Sequence, residues 1–205
     1  MAVGAAVVAA GEEEEEAEEA ADSRGVAEIV AEAVPAEAGD ARSRAITGGS
    51  PRANPGRHRL IMKPKEFLRS IDRAKVVSAI RAAEGRTNGQ IRVFVTRHRP
   101  PDTMRAAQRA FARLKMARTH RRNGVLIFLA PETQSLAIVG DVAVHEKCGD
   151  DFWQEVLEAM TTHLRKGEFT AAILIGVQKA GDVLGEHFPR QPGDRNELPD
   201  EIVGD

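Results

Sequence analysis

The residues best suited to chemistry in this chain are oxygen-bearing side chains at the ends of apolar runs. The stretch RRNGVLIFLAPETQSLAIVGD (residues 121–141) reads as two apolar strands joined by the polar turn PETQ, and it stops on Gly140-Asp141. Glu84 closes a helical run, Asn123 precedes an apolar one, and Glu146, Asp150 and Asp151 follow soon after Asp141. Clustered carboxylate and amide oxygens suit a hard divalent cation such as Ca²⁺ or Mg²⁺. Without a cation, close carboxylates repel and raise one another's pKa. Each residue also has a plainer role. Asp150 and Asp151 read as helix caps, Glu84 and Glu146 as solvated carboxylates, and Asp141 as a turn-former bonding its own backbone.

The elements that must position these residues follow from periodicity. Asp72 is an N-cap for a helix carrying Val76, Val77, Ile80 and Ala83, which ends at 84–86. TNGQ (87–90) turns the chain into the strand IRVFVT (91–96), and RPPD breaks it. A second helix over 102–116 places Ala107, Ala110, Phe111 and Leu114 inward and Arg105, Arg109 and Arg113 outward. GVLIFLA (124–130) is apolar throughout, as a strand covered on both faces would be. Asp150 and Asp151 open a third helix with Phe152, Trp153, Val156, Leu157, Met160 and Leu164, stopped by Gly167. A fourth, from Phe169, keeps Gly176, Gly181 and Gly185, which implies close packing against a sheet.

This order predicts an α/β three-layer α/β/α sandwich with a small mixed sheet. A crossover makes strands 91–96 and 124–130 parallel, so Gln90 and Asn123 share one rim. The hairpin returns strand 135–140 to that rim, where Asp141 emerges beside Asn123 and near Glu84. Sites in open α/β sheets more often lie at the opposite rim. Here that rim holds His98, Arg99, Asp102, Pro131 and Glu132, a less convergent set. Three regions follow. Residues 1–62 form an acidic Ala/Glu-rich extension and linker, expected to be disordered, with transient helix over 12–38. Residues 63–188 form the α/β domain, and 189–205 an irregular tail.

The chain has 29 basic and 31 acidic residues, so net charge makes no argument for nucleic acid or membrane. The placement is uneven: 12 acidic and 6 basic residues precede Lys63. A basic stretch from Arg92 to Arg122, opposed there only by Asp102, raises nucleic-acid binding, yet no stacking aromatics are interleaved with its arginines. Cys148 is the single cysteine, which excludes an intramolecular disulfide and suits a reducing cytoplasm. HEKC (145–148) is no zinc-protease helix, because the second His position holds Gly149. No run is long enough to span a bilayer. The opening MAVGAAVVAAG lacks the basic leader of a secretory signal.

The segments AAEGRTNGQIRV, FARLKMARTHRRNGVLIFLAPE, LAIVGD, HEKCGDDFWQEVLEAM, GEFTAAILIGVQKAGDVLGEHFP and NELPDE together resemble the TPM-domain family over about residues 65–202. The resemblance implies an α/β/α sandwich and a small acidic divalent-cation site, with Asp141, Glu84 and Asp151 at the acidic positions and Asn123 in the RNG element. Family members include described phosphatases and proteins of membrane-protein repair or receptor assembly. Two departures stand out: Gln90 replaces a common Glu and so removes a charge from that site, and Ala143 stands where a Gly is common. Three functions follow as expectations. The favoured one is a non-catalytic interaction or assembly module with a protein partner. The second is a metal-assisted phosphomonoesterase in which Arg122 steadies phosphoryl charge. The third is nucleic-acid binding.

Overall fold

A computed structural model describes residues 27–32, 62–119, 121–194 and 202–204. Most of the expected acidic extension therefore lies outside the described residues. The elements are β1 (Ala27–Glu32), α1 (Pro64–Ser70), α2 (Arg73–Glu84), β2 (Gln90–Val95), α3 (Thr103–Arg113), a 3-10 turn (Met116–Arg118), β3 (Gly124–Ala130), β4 (Ser135–Gly140), α4 (Val142–Arg165), α5 (Phe169–His187) and β5 (Ile202–Gly204).

The strands form one mixed sheet in the order β1-β4-β3-β2-β5. β2 lies parallel to β3 with Gln90 opposite Gly124, and the hairpin sets Gly140 opposite Val125. The sequence expectation of a shared rim therefore holds. Alternating side chains divide the core in two. Ile91, Val93, Val125, Ile127 and Ile138 face α1, α2, α4 and α5, with Val76, Ile80, Trp153, Leu157 and Ile173 among the residues meeting them. Phe94, Leu126, Phe128 and Val139 face α3 through Met104, Ala107, Ala110 and Phe111. Phe94 and Phe128 are register partners, and their rings stack 5.5 Å apart across the strands. The α/β/α sandwich is thus the fold.

Local chemistry sets the helix starts. Asp72 accepts the Lys75 N–H at 3.1 Å, and Asp102 accepts the Arg105 N–H at 2.9 Å. Several expectations need correction. α1 was not anticipated; Pro64 in its first turn fits the position where a missing N–H costs nothing. α4 begins earlier than expected, at Val142, with a first limb that was not anticipated; Gly149 (φ +69°) breaks it, and the second limb starts at the aspartates 150–151 as expected. Residues 27–32 form a strand instead of transient helix, because Ile29 and Val30 suit the open edge of β4. The tail is likewise not wholly irregular: Ile202–Gly204 adds to the free edge of β2, burying Ile202.

The glycines of α5 do different work from the sheet packing expected of all three. A Cβ on Gly176 would lie 2.6 Å from Met160 Sδ and 3.0 Å from Ile127 Cδ1, so α4 and β3 both press on it. A Cβ on Gly181 would lie 2.6 Å from the Ala83 Cβ of α2, whereas at Gly185 the nearest atom is 3.9 Å away. Gly181→Ala should therefore destabilise the fold by about 1–3 kcal/mol, since neither Cβ can move without parting two helices. Gly185→Ala should stabilise it by up to about 1 kcal/mol. Urea unfolding of both variants checks the opposite signs.

Candidate functional site

Gly140 and Asp141 end β4 for separate physical reasons. A side chain at Gly140 would meet the Trp153 ring, whose Cζ2 lies 3.3 Å from the Cβ position, so the residue admits the indole against the strand end. Asp141 continues the ladder for one more bond, donating its N–H to Gly124 O at 2.9 Å. It then caps α4: its carbonyl accepts the Val144 and His145 N–H groups, and its Oδ1 accepts the Val142 N–H at 2.8 Å. The same Oδ1 accepts the Arg122 Nε–H at 2.9 Å. The Asp141 side chain is wholly buried and the Arg122 side chain 35% exposed, so the guanidinium closes over the carboxylate from solvent. Arg122 holds this position from a left-handed backbone (φ +52°).

Glu84 is also buried, and its Oε1 accepts the Ile91 N–H at 2.7 Å, tying the end of α2 to the first residues of β2. Asp151 is exposed and lies beyond the Gly149 break. Among the described residues, no group of three or more His, Cys, Asp or Glu side chains is placed to hold a metal ion. Glu84, Asp141 and Asp151 therefore do not form one such group. The physical reason is that Asp141 faces a backbone donor and an arginine, while the Gly149 break carries Asp151 to the surface. Gln90, the neutral replacement, is buried and donates to Gly89 O at 3.3 Å.

The structure builds a second polar array on this rim that sequence reasoning missed apart from Asn123. Buried Asn123 donates through Nδ2 to Asn88 Oδ1 at 2.9 Å, and Asn88 Nδ2 donates to Asp194 Oδ2 at 3.1 Å. Asp194 also accepts the Gln191 N–H at 2.7 Å. These bonds, with the nearby positive charges of Arg121 and Arg190, hold its carboxyl below the usual range. Thr87 donates to Leu184 O at 2.9 Å, and the Asn88 N–H donates to Phe188 O at 3.1 Å. The segment after α5 is thereby fastened over the turn into β2. The polar TNG turn and the Asp194 turn were the only available signals, and neither names its partner.

Cys148 ends the first limb of α4. Its thiol donates to Val144 O at 2.9 Å, and burial, with the Glu186 charge nearby, pushes its pKa up to about 11. It packs on the core and holds no zinc-site geometry. At pH 8 the thiolate fraction is then about 100-fold below that of a thiol at 9.0, and alkylation by iodoacetamide should slow accordingly. Because the folded pKa lies above the unfolded one, the related stabilisation is complete below pH 9 and is lost as pH rises toward 11. In Asp141→Ala the uncapped limb should open more often, and the alkylation rate should climb back toward the free-thiol value.

The model of the TPM domain matches residues 61–183. Among solved structures, the BA42 protein from the psychrophilic bacterium Bizionia argentinensis is 35% identical, with a TM-score of 0.61, over 65% of this chain and 92% of that one. No curated protein matches. With more than half the chain matched and the rim geometry in place, the chain belongs to the TPM-domain family.

Proposed function

We propose that this chain is a non-catalytic interaction or assembly module whose partner is a protein, and whose rim chemistry serves to fix loop geometry. One observation carries the reading: Asp141, the residue best placed to react, is wholly buried with its Oδ1 engaged by the α4 backbone and by Arg122. An arginine that neutralises this carboxylate is also withdrawn from steadying phosphoryl charge. The Asn88–Asn123–Asp194 array adds support, since it holds the loops around the rim in one arrangement before any partner arrives. Preorganised loops lower the ordering cost of recognition. Among the described residues no helix is long and apolar enough to cross a membrane, and the single cysteine suits the cytoplasm.

On this reading Glu84, Asp141 and Asp151 do not act together as a three-carboxylate site. Ca²⁺ or Mg²⁺ would meet fewer protein charges there, and an affinity on the order of millimolar or weaker is expected.

The test pairs p-nitrophenyl phosphate hydrolysis in Mg²⁺ and Ca²⁺ with calorimetric titration of each ion, on the native chain and Asp141→Asn. The expected result is no Asp141-dependent turnover and no saturable heat at micromolar ion. Hydrolysis that falls about 100-fold in the variant, with unchanged Trp153 fluorescence, would favour the phosphatase reading instead.

A further inference from the structure

α3 and the loop after it present an unbalanced positive surface. Residues 103–131 hold seven Lys and Arg and no Asp or Glu. Arg105, Arg109, Arg113, Lys115 and Arg121 are exposed. Arg113 lies over the Phe94 ring at 5.3 Å, and Arg121 lies near Asp194. Among the described residues, no carboxylate pairs with Arg105, Arg109 or Lys115.

The topology delivers a counter-charge to the same place. Residues 12–22 hold eight acidic side chains and no basic one. They lead through four residues into Ala27, the first residue of β1. Ala27 pairs opposite Gly140, and Glu32 opposite Ser135. α3 starts beside Ser135, where Thr103 Oγ1 lies 2.8 Å from Ser135 Oγ. It ends toward Gly124, against which Met116 packs. β1 also touches α3. The chain therefore enters β1 at the rim where α3 ends, beside Arg113, Lys115 and Arg121.

We propose that the acidic segment 12–22 docks on the basic surface formed by α3, Lys115 and Arg121 of its own chain, and covers it against other polyanions. The tether from Ala27 to Glu19 reaches roughly 25–30 Å when extended, ample for that end of α3. A short tether raises the effective concentration to about millimolar, which favours this occupant over a free acidic partner. The contact is electrostatic and weakens with salt.

The test uses the full chain with Cys148→Ser and a nitroxide on Ala17→Cys. At low salt the amide signals of Leu114, Ala117 and Arg121 should lose more than about half their intensity to the spin label. They should recover in about 0.5 M NaCl, where screening is strong, and in the Arg109→Gln/Arg113→Gln/Lys115→Gln variant. Undiminished signals at low salt, or loss indifferent to salt and to the variant, would overturn the proposal. With the seven glutamates of residues 12–19 changed to Gln (Glu12→Gln and its neighbours), a single-stranded oligonucleotide should bind about tenfold more tightly than to the native chain. An oligonucleotide that binds both chains equally well would make nucleic acid the occupant and also overturn it.

Discussion

The buried contact between Arg122 and Asp141 is the constraint on which the rim of this molecule depends. A carboxylate with no exposure to water is tolerated only when its charge is met by donors at hydrogen-bond distance. Here the donors come from two places in the chain: the guanidinium before β3, and the first N–H at the positive end of α4. One side chain thus fixes where β4 stops, where α4 starts and how the loop before β3 is bent. The left-handed Arg122 backbone is part of the same arrangement, since it aims the guanidinium back at the strand end.

Gly140 and Trp153 complete the joint from the apolar side. The indole can lie against the strand end only because residue 140 has no side chain, and Trp153 in turn anchors the second limb of α4. Gly149 lets the two limbs of that helix part, so the first can follow the Asp141 cap while the second packs on the sheet. Around this joint the Thr87–Asn88–Asn123 bonds fasten the end of α5 and the Asp194 turn. The rim is therefore a set of loops held by short-range polar bonds. That arrangement underlies the interaction role proposed for the chain.

Most of the sheet and its rim was legible in the residues. Alternation in 91–95, the continuous apolar run of 124–130 and the return after PETQ were enough to place Gln90, Asn123 and Asp141 together. The cap at Asp72 and the helix start near Asp102 were readable because each stands just before a helical apolar pattern. The start of α4 was not, because VAVHEKC carries two valines and no helical stripe, and the aspartate that caps it also looked like a ligand. The role of Asp141 turned on Arg122, whose neighbour in space is set by a left-handed turn that no pattern announces. The edge strands β1 and β5 were missed for a related reason: short segments become strands only when an open edge is offered. Asp194 was invisible because its partner, Asn88, lies 106 residues away.

A double-mutant cycle on Arg122→Met and Asp141→Asn, read by urea unfolding, measures whether the two side chains stabilise the fold as a pair. Asn at 141 can still accept the Val142 N–H, so the cycle isolates the ion pair from the cap. The expected coupling energy is about 1–2 kcal/mol, toward the lower part of the range for buried pairs because the arginine is partly in water. Additivity to within about 0.3 kcal/mol would show that Arg122 and Asp141 stabilise the fold independently, and would return the buried carboxylate to the list of groups available for chemistry.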